Sequence, residues 1–396
     1  MRLADLLRSL LLLAALAGAA GCDPPAGVPP HAARPSPERL GRLRLGVNLS
    51  YWLWLSRADT PQQRREFISD AELRALATGG MTHARLPFEP TKLWDKDAHE
   101  LRAGPLAELD EAIRRVLASG LAVVVDAHDL GNALLDVRES EGRAPEYERF
   151  WDALAAHLAS TDPQLVFLEL CNEPHGYRQA STWSAVQAAL VRVVRARCPA
   201  HTLICTGDQW GGTDGLHRLT PPPDANVVYS FHFYDPDAFT HQGATWGVPT
   251  WKALRDVPYP LNRDAGDTVA RRQADPGAAA MVRLQADQGW DAAMVRAQIK
   301  RAADWGSAHG VSIYCGEFGV YAKFAPRAGR VAWLRDMTAA LDEFKIGRAM
   351  WDYCGGFDLA IGEPGRRTLD HDIAEAIGVK PPPSPAPPGA PPRDGR

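Results

Sequence analysis

Short apolar runs rich in β-branched residues recur along the chain. Between them lie stretches in which apolar positions return every three or four residues. Eight runs read as strands: Arg44–Leu49, Thr82–Phe88, Leu121–His128, Gln164–Cys171, His201–Gly207, Asn226–Tyr234, Val311–Phe318 and Gly347–Tyr353. Helical periodicity fills most of the intervals, over Asp70–Gly80, Leu106–Ala118, Glu146–Ala159, Thr182–Arg197, Asp291–Ala308 and Val331–Phe344. The first of these starts on an Asp and stops at glycines, as a capped helix does. Trp210–Pro223 leaves room for only a turn or two of helix. Asp235–Trp290, with Trp246, Trp251 and Tyr259, reads as an elaborated loop after strand six.

Strands separated by helices are most simply parallel, joined by right-handed crossovers. Eight such units close into a (β/α)8 TIM barrel. A doubly wound open sheet is the alternative. It needs a glycine-rich phosphate loop after its first strand, and here "NLSYWLW" places bulky aromatics instead.

The 396 residues, 45% of them apolar, are enough for one such barrel with insertions. The ends are different in kind. Residues 1–21 read as an export signal: Arg2 and Arg8, then an apolar stretch Leu10–Ala20 too short to span a bilayer. "AGAAGC" puts Cys22 where a bacterial lipoprotein is cleaved and lipidated. Ordinary cleavage near Ala17–Gly18–Ala19 would instead give a secreted protein. Residues 22–41 read as a Pro-rich tether and 380–396 as a Pro-rich tail, leaving 42–379 as a single domain. The expectation is a monomer at the periplasm or cell surface, touching membrane only through a lipid on Cys22. A net charge of −4 gives no basic surface for nucleic acid. Cys171, Cys198, Cys205, Cys315 and Cys354 fit no zinc spacing. Export permits disulfides, and Cys198–Cys205 and Cys315–Cys354 are the possible bridges.

In a barrel, all the strand C-termini open on one face, where active sites sit. The polar residues at those ends form a set. Arg85 lies on strand two and His128 ends strand three. Asn172 and Glu173 end strand four. His232 and Tyr234 lie two apart on strand six, Glu317 ends strand seven, and Trp351 lies on strand eight. A carboxylate ending a buried run is costly unless it has partners or a task. Two of them across one mouth suggest glycoside hydrolysis, in which one carboxyl must be protonated and the other ionised. A cation and hydroxyl donors, such as Arg85 and Tyr234, favour the charged form, while desolvation favours the neutral one.

At these positions the chain resembles glycoside hydrolase family 5, the cellulase-type retaining barrels, over about Gly46 to Phe357. The motifs are "ARLPF", "DAHD", "NEP", "FHFY", "YCGEFGVY" and "MWDY", in that order. The resemblance implies Glu173 as acid/base and Glu317 as nucleophile. It also implies that Asn172 holds the sugar's 2-hydroxyl, that Tyr234 contacts the nucleophile, and that Trp351 floors the subsite where cleavage occurs. Arg85, His128 and His232 fall on the family's other characteristic positions. The implied reaction is retaining, endo-acting hydrolysis of β-1,4-glucan. β-Mannan, β-1,3-glucan and xyloglucan are the family alternatives, and a non-catalytic sugar-binding lipoprotein is the reading of another class. No cofactor is implied. "DAHD" with "FHF" invites a metal reading, but too few ligands are in place. Glu169 sits deeper than Glu173 and reads as a structural, hydrogen-bonded carboxylate. Strict alternation would aim Asn172 and Glu173 in opposite directions, so both reach the mouth only if the strand has already begun to turn.

Overall fold

The computed structural model describes residues 33–129, 133–135 and 142–380. The export signal, Cys22 and the C-terminal Pro-rich tail lie outside the described residues. All eight expected strands form: β1 (Leu45–Asn48), β2 (His83–Phe88), β3 (Ala122–Ala127), β4 (Val166–Glu169), β5 (Thr202–Thr206), β6 (Val227–Phe233), β7 (Ser312–Phe318) and β8 (Gly347–Met350). Each pairs in parallel with its neighbours, and β8 closes on β1 to complete a barrel. The helices that follow the strands are α1 (Asp70–Thr78), α2 (Ala103–Ala118), α3 (Pro145–Leu158), α4 (Ala180–Arg197), α5 (Thr213–Arg218), α6 (Ala292–His309), α7 (Arg327–Glu343) and α8 (His371–Ala376). Ser69 caps α1 in a reciprocal capping box with Glu72, which explains the sharp helix start in the sequence.

The strands bury both faces. Leu43, Ala122, Val124, Phe167, Ile204, Val228, Tyr314 and Ala349 pack together as an apolar layer inside the barrel. Alternate residues such as Val123, Val125, Leu168 and Leu203 face the helices in a second, larger core. The barrel's lower end is closed by a short helix, Pro37–Gly41, in the stretch read as tether. Its Arg39 bonds to the Ala200 carbonyl and the Thr202 hydroxyl, so the chain enters the barrel opposite the mouth.

Three expectations change. The interval read as an elaborated loop contains two helices, Arg263–Ala270 and Pro276–Gln288. Asn262 and Asp275 cap them, and Gly266 meets Ala286 so closely that no side chain fits between. The first is only eight residues long, and the second buries mainly alanines, which give little hydrophobic contrast for a periodicity to show. Helix α8, started by Asp370, was also invisible because it is only six residues long. Neither possible disulfide forms: all five cysteines from Cys171 to Cys354 are free thiols. Cys198 donates instead to the Ala155 carbonyl.

Two breaks in strand regularity orient the mouth. Strand β4 ends at Glu169, two residues earlier than its apolar run implies, and Asn172 and Glu173 lie beyond it. Strand β7 carries a bulge: Phe231 pairs with Cys315 and His232 pairs with Glu317, leaving Gly316 as the extra residue. Tyr314 and Gly316 both face the interior, so simple alternation would turn Glu317 outward towards the helices. The bulge puts two successive residues on the inner side and aims Glu317 into the mouth.

Candidate active site

The site is built on one buried guanidinium. Arg85 rises from β2 into the barrel interior and is completely buried. Its Nε and Nη2 donate to Glu169 at 2.7 and 3.0 Å, and Nη1 donates to Glu317 at 2.7 Å. Asp126 of β3 lies 3.0 Å from Nη2. Asn48 of β1 and Asn172 accept from Nη1 and Nη2 at 2.8 and 2.7 Å. Burial alone would lower the Arg85 pKa, but the three carboxylates override it and hold the group well above its ordinary value.

Asn172 and His128 extend this network. Asn172 Nδ2 lies 3.0 Å from His128 Nε2, and His128 Nδ1 lies 2.8 Å from Asp126 Oδ2. Burial, with Arg85 and His232 nearby, holds the His128 pKa well below its ordinary value, so the ring is neutral. A neutral ring accepting from Asn172 carries its proton on Nδ1 and donates it to Asp126. His128 also stacks against Trp351, with Trp54 closing on both rings. These three form an aromatic floor. Trp351 stands just past the end of β8 rather than on it.

Glu173 and Glu317 face each other over this floor. One carboxylate oxygen of each and a ring nitrogen of His232 lie within 4.8 Å of one another. The partners of the two carboxyls differ. Glu317 accepts from Arg85 through Oε1 and from the Tyr234 hydroxyl through Oε2, at 2.7 and 2.8 Å. The Glu173 side chain is a quarter exposed, and among the described residues its carboxyl hydrogen-bonds only to His232, whose Nδ1 is 2.7 Å from Oε1. Burial is the largest influence on both and pushes each up to about 7; Arg85 pulls against it at both, while Asp126 and Glu169 add to it at Glu173 and Glu173 adds to it at Glu317. The pair therefore shares one proton near neutral pH. Two donors on Glu317 favour the charge there and leave the proton on Glu173.

The mouth has room on both sides of this pair. Trp210, on the loop after β5, is 58% exposed and lies flat on His175, ring centroids 3.5 Å apart. His175 is two residues from Glu173. On the opposite side a cavity of about 800 Å³ is lined by Tyr51, Arg57, Tyr321, Gly355 and Gly356. The eight residues read from the sequence thus converge on one site. Glu169 is structural, bound by Arg85 as expected. Sequence reasoning missed Asn48 and gave Asp126 no role. Asp126 was findable, since it lies two residues before His128 on the same strand face.

A parallel barrel carrying two carboxyls this close together at its mouth is the machinery of a glycoside hydrolase. The sequence comparisons agree. The cellulase family, glycosyl hydrolase family 5, matches residues 56–356, and the chain belongs to it. Endoglucanase C of Acetivibrio thermocellus is 27% identical over 344 residues, covering 84% of this chain and 97% of that protein. Endoglucanase 3 of Fibrobacter succinogenes is 27% identical over 361 residues, and this chain spans 53% of its length. Among solved structures, Thermotoga maritima Cel5A in complex with cellobiose superposes with a TM-score of 0.68 at 24% identity, covering 86% of this chain and 99% of that one. The same protein in complex with mannotriose gives 0.69 at 23%.

Replacing Arg85 with Met would leave Glu169, Asp126 and Glu317 buried without their cation. Removing one partner of a buried ion cluster costs roughly 3–5 kcal/mol. The orphaned carboxyls would titrate above their unfolded values. Their protonation supports the fold below the unfolded values, and that support is lost as pH rises through the folded ones. Urea unfolding of Arg85→Met is expected to show a stability deficit that is larger at mildly alkaline than at mildly acidic pH.

Proposed function

We propose that this chain cleaves β-1,4-linked glucan internally, with retention of configuration, using Glu317 as nucleophile and Glu173 as acid/base. The observation that carries the reading is the short span between the two carboxyls, combined with their unequal partners. Retaining enzymes place them roughly 5–5.5 Å apart, while inverting enzymes need roughly 6.5–9.5 Å to admit a water. In the first step a Glu317 oxygen bonds to the anomeric carbon. The bond to the leaving oxygen breaks, and that oxygen takes the Glu173 proton. In the second, Glu173 removes a proton from water, which attacks the same carbon and releases Glu317. Arg85 and Tyr234 hold the nucleophile ionised between turnovers.

Asn172 has one amide hydrogen committed to His128 and a second free to reach a sugar hydroxyl, which suits a contact with the 2-hydroxyl at the cleavage site. Trp351, backed by His128 and Trp54, offers a flat apolar face to a sugar ring. Trp210 beyond Glu173 and the cavity at Tyr51 and Tyr321 leave space for sugars on either side, which supports internal cleavage. The relatives' names favour glucan. The Thermotoga maritima protein solved with both cellobiose and mannotriose makes mannan the comparison substrate. Proton NMR of cello-oligosaccharide hydrolysis is expected to show the β-anomer as first product, with mannan cleaved more slowly. An α-anomer appearing first would overturn the mechanism, and faster mannan cleavage would overturn the specificity.

The pH dependence tests the roles separately. Activity rises as Glu317 loses its proton and falls as Glu173 loses its own, near pH 7 where burial has placed it. Glu173→Gln is expected to slow cello-oligosaccharide hydrolysis by about 10²–10⁴-fold, the usual worth of a general acid. For an aryl cellobioside with a good leaving group, kcat/KM should stay near the wild-type value and lose its alkaline limb. A variant that keeps that limb would show that Glu173 is not the acid.

A further inference from the structure

Beside the catalytic pair, Ser230 Oγ and His232 Nε2 are buried and have no hydrogen-bond partner among the described residues, as is also true of the acceptor Asp126 Oδ1. Ser230 and His232 belong to β6, two apart, so they point to the same side of the strand. Both are essentially inaccessible to solvent. Both atoms also border one spot, the inner side of the bulge residue Gly316. A Cβ there would stand 2.5 Å from Ser230 Oγ and 3.1 Å from His232 Nε2. The other ring nitrogen, Nδ1, faces the reaction: 2.7 Å from Glu173 Oε1 and 3.5 Å from Glu317 Oε2.

A neutral imidazole has one N–H donor and one acceptor nitrogen, and the hydrogen bond made at one nitrogen sets the state of the other. We propose that the Ser230 hydroxyl donates to His232 Nε2, directly after a turn about its Cα–Cβ bond or across one bound water, and so locks His232 with its proton on Nδ1. This makes Ser230 a positioning residue for the proton of Glu173, and it rests on the acid/base reading above. With N–H at Nδ1, His232 donates to Oε1 of Glu173. The acid proton is then confined to Oε2, the oxygen left for the substrate. With the other tautomer, Nδ1 would present a lone pair, and protonated Glu173 would spend its proton on the imidazole. Gly316 belongs to the same device, because any side chain there would fill the gap between the hydroxyl and the ring.

The groups that act on His232 come from several strands: Arg85 from β2, Asp126 from β3, Glu169 and Glu173 from β4 and its following turn, and Glu317 from β7. Burial is the main influence and lowers the ring's pKa, and Arg85 adds to that, while the Glu317, Glu169 and Asp126 carboxylates oppose it. None of these contacts Nε2 by a hydrogen bond. Ser230 is the neighbour with a donor to give it.

The test is nitrogen-15 NMR of histidine-labelled enzyme, with Ser230→Ala and Ser230→Thr. The wild type is expected to show His232 protonated at Nδ1, and Ser230→Ala to lose that single tautomer. In the same Ala variant, kcat/KM for cello-oligosaccharide should fall roughly tenfold, a part of the worth of a general acid. An activated aryl cellobioside, which needs no proton, should change less than about twofold on the same grounds. Ser230→Thr keeps the hydroxyl and should restore both. A wild-type ring protonated at Nε2 would overturn the proposal even if no variant folds. So would an Ala variant with the tautomer and the leaving-group dependence both unchanged. The tautomer measurement does not depend on which carboxyl is the acid. A failed Glu173→Gln test would therefore remove the acid assignment and leave the Ser230 contact to be judged by NMR alone.

Discussion

One cation, Arg85, determines how the mouth of this barrel is arranged. It is buried among Glu169, Asp126 and Glu317, and its remaining donors hold Asn48 and Asn172. A guanidinium suits this place because its five donors leave in a fixed plane and it does not lose its proton. Its partners come from β1, β3, β4 with its following turn, and β7, so together with its own strand β2 a single side chain ties together five of the barrel's eight staves at one level. It also distinguishes the two carboxyls on which the proposed mechanism rests. It donates a hydrogen bond to Glu317, while its charge reaches Glu173 without a direct contact.

Geometry beyond the reach of any periodicity delivers the two carboxyls to that level. Regular alternation would carry Glu317 to the helix side of β7, and the bulge at Gly316 returns it to the interior. The early end of β4 does the same for Asn172 and Glu173. Both departures occur at the catalytic positions and nowhere along β2, β3 or β5, where the described pairing runs in continuous register. Bulges beside active sites commonly re-aim a side chain in this way.

This explains what was legible in the sequence. The eight strands could be read because parallel barrel strands are buried on both faces and leave unbroken apolar runs, such as Leu121–Val125. The catalytic positions could be read because polar residues interrupt such runs only at a cost. Alternation could not give the inward aim of Glu317 or Glu173, since each follows a break in the period. Asn48 was hidden because an Asn after "LGV" looks like any strand end, and its value appears only when Arg85 arrives from the next strand. Ser230 was hidden for the same reason: a hydroxyl in "VVYSFHF" is unremarkable until the bulge glycine shows what lies beside it.

The central claim is that Glu317 is the charged carboxylate that attacks the sugar. The most direct measurement is to trap the intermediate. A cellobiosyl fluoride carrying fluorine in place of the 2-hydroxyl forms the glycosyl-enzyme faster than water can release it, and peptide mass spectrometry locates the ester. The account predicts one sugar adduct per chain, on the peptide that contains Glu317, and none when Glu317 is replaced by Gln. An ester on Glu173, Glu169 or Asp126, or turnover with no covalent adduct, would contradict it.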